Sequence, residues 1–150
     1  MKLQRLAAST ILIASISMAQ PTSATAWHRP KGICADPAYK ITRAMPLWQR
    51  QDRSRRLIEC VFDRIVPGQA GYAIAIASRE SGLDPYQENA SGAAGLFQHL
   101  RIYWPGRVAA YLYEGAFPNT WPKVSPFHAR ANAIVAARMV KRYGWSAWGG

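Results

Sequence analysis

This 150-residue chain has little that would support several large classes of function. It has only two cysteines, and they lack the paired spacing of a zinc or redox site. Its three histidines, His28, His99 and His128, lie far apart in sequence with no metal-ligand spacing. No glycine-rich phosphate loop is present, so neither a metal nor a nucleotide cofactor is expected. Beyond the N-terminus no run approaches the roughly 18 apolar residues that a membrane-spanning helix needs. No internal repeat or low-complexity tract appears. Acidic residues are scarce, eight against 19 lysines and arginines.

The first 26 residues are laid out differently from the rest. Lys2 and Arg5 form a positive start, Leu6 to Met18 is a short apolar stretch, and Ala24-Thr25-Ala26 is a small-residue cleavage sequence. This predicts an export signal over 1–26, cut before Trp27, with a secreted or periplasmic destination. Residues 27–150 then hold 17 basic and eight acidic residues, a net charge of +9. That is one domain's length. The charge implies attraction to polyanions. For an exported protein these are cell-wall polymers and anionic surfaces, with no role for nucleic acid. Export also places Cys34 and Cys60 in an oxidising compartment, where an even count predicts a disulfide worth roughly 3 kcal/mol.

Residues 27–46 show no helical period and read as an irregular arm. A first helix is predicted over 51–66, where Leu57, Ile58, Val61, Phe62, Ile65 and Val66 make one apolar stripe. Asp52 or Ser54 would cap it and Pro67-Gly68 would stop it. Residues 69–81 are apolar nearly all round, as expected of a helix buried mid-domain, and Gly82 would end it. Turn formers fill 83–100, with Leu96-Phe97-Gln98 a weak candidate strand. A short helix is predicted over 106–114 and a proline-rich loop over 115–122. Ser125-Pro126 would then open a last helix running to about Tyr143 and ending at Gly144. The expected fold is mainly α, with a small irregular or hairpin-bearing insert. Residues 27–68 would belong to the same domain as the core, 69–150.

Glu80 is the leading candidate for chemistry. It ends a nearly apolar helix, where burial and the negative helix terminus would both disfavour its charge. A carboxyl kept protonated near neutral pH can donate to a leaving oxygen. Arg79 points about 100° away around the helix and is not expected to pair with it. By itself such a glutamate fits a solvent-facing helix end equally well. The surrounding motifs add to it. Arg79-Glu80-Ser81-Gly82, then Ser91-Gly92-Ala93-Ala94-Gly95-Leu96-Phe97-Gln98, then Ala131-Asn132-Ala133-Ile134-Val135-Ala136-Ala137 and Gly144-Trp145-Ser146-Ala147-Trp148 follow in order. This series resembles the lytic transglycosylases of the lysozyme-like superfamily, over about 69–150. Phe97 stands where that family usually has Met, and its Ala-Tyr-Asn triplet is missing.

The resemblance implies a lysozyme-like fold and cleavage of peptidoglycan glycan strands by a monomer without cofactor or metal. Glu80 would be the catalytic acid/base. Ser81, Gln98 and Tyr103 would bind substrate. Asp84 and Glu88 are the nearby acids that a two-carboxylate mechanism would need. A hydrolytic muramidase of the same fold and a non-catalytic wall-binding module are the alternatives. Tyr111, Tyr113, Trp121, Trp145 and Trp148 are expected mainly in the core.

Overall fold

In the computed structural model, residues 33–112 and 124–150 are described. The export signal, Tyr113, Trp121 and the proline-rich loop lie outside them. Helix α1 spans Leu47–Ile65 and buries Leu57, Ile58, Val61 and Phe62, the face its periodicity predicts. It starts a turn earlier than expected, after Pro46, whose carbonyl accepts from Gln49 and Arg50 N–H. Leu47 and Trp48 in that first turn are exposed, so no apolar stripe marks it. Neither expected cap acts as one. Asp52 pairs with Arg56 one turn on, and Ser54 is fully buried.

Helix α2, Ala70–Ser81, ends at Gly82 in the left-handed conformation (φ 61°). It buries Ala73, Ile76, Ala77 and Ser81, while Gly71, Tyr72, Ala75 and Ser78 face outward. The expected all-round burial belongs instead to α4, Ala129–Tyr143, ten of whose 15 residues are buried. Hydrophobicity alone does not tell the two apart. Alanines 131, 133, 136 and 137 let α4 sit close against its neighbours, and it packs on α1. It starts three residues later than Ser125-Pro126 suggests. His128 is the cap, its Nδ1 accepting the Ala131 N–H at 3.3 Å, while the Ser125 hydroxyl accepts from Phe127 in the turn before.

Between α2 and α4 lies a two-stranded antiparallel hairpin, β1 (Ala93–Ala94) and β2 (His99–Leu100), with Ala93 opposite Leu100 and Ala94 opposite His99. Leu96-Phe97-Gln98 is its turn, not a strand. Next comes α3, Trp104–Arg107, which runs on as one wide turn over Val108–Leu112. The chain closes in a tight turn, Ser146–Trp148. Trp145 stacks on Phe62 and Trp148 meets Phe97 edge-on, so this final turn is tied to α1 and the hairpin tip. Buried apolar side chains from all these helices form one cluster, so the protein is mainly helical around a shared core. The Cys34–Cys60 disulfide is formed and fastens the N-terminal segment to α1. No helix among the described residues is long and apolar enough to cross a membrane.

Candidate functional site

The C-terminal end of α2 presents Arg79, Glu80 and Ser81 to the hairpin tip. Leu83, beyond Gly82, is also left-handed (φ 61°) and donates its N–H back to the Ala77 carbonyl, which locks the helix end. The next acid, Asp84, is held by Arg50 and is absent from the lining of the cavity that Glu80 borders. Its two oxygens receive Arg50 Nε at 3.0 Å and Nη2 at 2.7 Å, and Oδ1 also accepts the Tyr86 N–H. Burial opposes its charge, but these hydrogen bonds and the Arg50 guanidinium outweigh it and hold the carboxyl below its ordinary range. Asp84 therefore anchors α1 to the loop. Glu88 pairs with Arg101 at 2.8 Å.

The turn Gly95–Gln98 is held by side chains from three separate elements. The Ser81 hydroxyl lies 3.0 Å from the Ala77 carbonyl and 2.9 Å from the Leu96 carbonyl. Asn132, fully buried on α4, accepts the Phe97 N–H through Oδ1 at 2.9 Å and donates through Nδ2 to the Pro126 and Ala94 carbonyls. The Trp148 indole donates to the Phe97 carbonyl at 3.0 Å. Gly95 is required twice over. Its φ is +83°, and a β-carbon there would stand 2.3 Å from both Asn132 Nδ2 and the Pro126 carbonyl oxygen.

A cavity of about 300 Å³ opens where these parts meet. Arg79 and Glu80 form one wall, Phe97, Gln98 and Leu100 of the hairpin another, and Arg107, Ala147 and Trp148 complete it. Glu80 keeps about a quarter of its side chain exposed, and its Oε1 takes Arg79 Nη2 at 2.8 Å and Nε at 3.1 Å. This pairing corrects the expectation from helix geometry. The arginine folds back because its Nη2 also donates to the Trp148 carbonyl at 2.8 Å, which draws the guanidinium across Glu80. Gln98 (φ 48°) donates its amide N–H groups to the Gln87 and Gly95 carbonyls, which fixes it on the cavity edge.

Three of the four expected catalytic or binding residues thus gather here, in different roles. Glu80 and Gln98 line the cavity. Ser81, expected at a sugar, is buried and engaged with backbone, so it positions the turn. Tyr103 stands outside the lining, exposed, with its ring 5.9 Å from the Arg107 guanidinium. Arg107 itself was missed, since a lone arginine in a basic chain carries no signal. Asn132 stands out in the sequence only as part of a motif, and Trp148, expected in the core, is buried there and also lines the cavity.

His99 is fully buried against Trp104 and Trp148. Its Nδ1 lies 2.7 Å from Arg107 Nη1. Burial, and then the Arg107 charge, push its pKa down to about 3. Among the described residues no three of His, Cys, Asp and Glu come together as a metal site. A larger hollow of about 650 Å³ beside Cys34, Tyr86 and Arg130 shares no residue with this cavity. Its carboxylate, Asp36, is engaged in capping a turn at Ala38. No protein-family model, curated protein or solved structure matches the chain.

Proposed function

We propose that this protein is an exported peptidoglycan lytic transglycosylase with a lysozyme-like fold, acting as a monomer on glycan strands without a cofactor. One observation carries the reading. Glu80 at the end of α2, Gln98 and Phe97 on the hairpin tip and Trp148 near the C-terminus line one cavity, although they come from three distant stretches of sequence. Glu80 would protonate the glycosidic oxygen as the bond to the muramyl C1 breaks. It would then take the proton of the 6-hydroxyl as that oxygen closes on C1, giving a 1,6-anhydro end and consuming no water.

A single-carboxylate route is favoured because Asp84 and Glu88 are held by Arg50 and Arg101 and neither lines the cavity. For the acid step Glu80 must leave Arg79 and carry a proton. The +9 charge would draw the protein to anionic wall polymers, and the disulfide suits a secreted or periplasmic location.

The ion pair also favours a second reading, a wall-binding module in which Glu80 stays paired with Arg79. Digestion of purified sacculi by the oxidised protein, beside Glu80→Gln, separates them by mass spectrometry. Anhydro-muropeptides from wild type and none from Glu80→Gln are expected. Reducing ends would make the enzyme a muramidase. Retained binding with no cleavage by either protein would replace the proposal with the binding module.

A further inference from the structure

Four ion pairs join the described residues: Arg50–Asp84, Arg56–Asp52, Arg79–Glu80 and Arg101–Glu88. Arg107 is in none of them, yet it is partly buried and lines the same cavity as Glu80. Its one close side-chain partner is neutral. A guanidinium has only donors, so His99 Nδ1 must offer a lone pair at 2.7 Å and the ring proton must sit on Nε2. That Nε2 is buried with no hydrogen-bond partner among the described residues. The imidazole therefore orients Arg107 without neutralising it. Tyr103 adds only the face of a ring. A half-buried cation with no counter-ion among the described residues is costly, and burial shifts its pKa down. An anion entering the cavity would relieve that cost. The arms of the guanidinium not used by His99 form a planar donor fork that matches a carboxylate.

We propose that Arg107, oriented by His99, is an anion-recognition residue of the cavity and that it takes a carboxylate carried by the substrate beside the sugar. This rests on the peptidoglycan reading only for the identity of that sugar. Two groups share the chemistry: the lactyl carboxylate of a muramyl residue without its peptide, and a carboxylate of the stem peptide. The source decides whether the enzyme prefers stripped or peptide-bearing strands.

Monosaccharides test it without cleavage, because they have no glycosidic bond. N-acetylmuramic acid, its methyl ester, N-acetylglucosamine and an N-acetylmuramyl dipeptide would be titrated into wild-type protein, following the Trp148 indole signal by NMR. N-acetylmuramic acid or the dipeptide is expected to bind about tenfold tighter than the uncharged sugars, and the tighter of the two names the source. Arg107→Gln should abolish the difference, and Arg107→Lys should keep part of it. Thermal melts of both variants check that the fold is intact. Equal affinity of charged and uncharged sugars for wild type, no saturable shift with any of them, or discrimination surviving Arg107→Gln would each overturn the assignment. A protein that discriminates but releases no anhydro-muropeptides would keep this assignment and lose the transglycosylase reading. Cleavage without discrimination would do the reverse.

Discussion

Replacing Asn132 should loosen the hairpin tip from the helical core. The side chain is fully buried and makes three hydrogen bonds to backbone, to Phe97 N–H at 2.9 Å, Pro126 O at 2.9 Å and Ala94 O at 3.3 Å. In Asn132→Ala the Phe97 N–H is left without an acceptor in a dry site. Each such orphaned group costs about 1–3 kcal/mol. The Pro126 carbonyl also loses a donor, and a small void is left. Together these predict a loss of about 3–4 kcal/mol, or a drop in Tm of roughly 10–15 °C for a domain of this size. Asn132→Leu separates the two causes. It fills the void but accepts nothing, so it should recover little. Urea unfolding followed by circular dichroism measures both variants. If either lies within about 1 kcal/mol of wild type, the hydrogen bonds do not hold the turn and the reasoning fails.

His99 should make the fold sensitive to mild acid. Its folded pKa lies near 3, below the unfolded value of about 6.5. The neutral ring's contribution is therefore complete above pH 6.5 and is lost as pH falls towards 3, by up to about 1.4 kcal/mol per unit. His128 is shifted the same way by burial and then by Arg130, so the readout is a difference. Unfolding free energy measured from pH 7 to 4 should fall less steeply in His99→Gln, which keeps an acceptor for Arg107 but does not titrate. Parallel slopes would refute the assignment. The Cys34–Cys60 bridge closes a separation of 26 residues. Reduction, or paired Cys34→Ser and Cys60→Ser, should cost roughly 3 kcal/mol, read as a lower urea midpoint. An unchanged midpoint would mean that the N-terminal segment contributes nothing to the folded state.

The sequence determined those features that depend on local periodicity and local turn chemistry. The apolar stripe of α1 showed its buried face, Gly82 and Gly144 marked two helix ends, and the even cysteine count led to the disulfide. Glu80 and Gln98, singled out by the order of the motifs, both line one cavity. Tertiary structure decided which helix is central. Both α2 and α4 are rich in alanine, and both pack on α1, but only the assembled fold shows that α4 is enclosed on most sides while α2 leaves one face in water. It also turned Leu96-Phe97-Gln98 from a candidate strand into a turn. Its conformation is set by Ser81, Asn132 and Trp148, which lie 15, 35 and 51 residues from their partners. The electrostatics of the cavity were decided in the same way. Arg79 crosses Glu80 because the Trp148 carbonyl draws it there, and the group beside Arg107 is a buried imidazole, with no counter-ion among the described residues. A charge in a sequence has no environment, and burial and neighbours that fix its chemistry exist only once distant segments have packed.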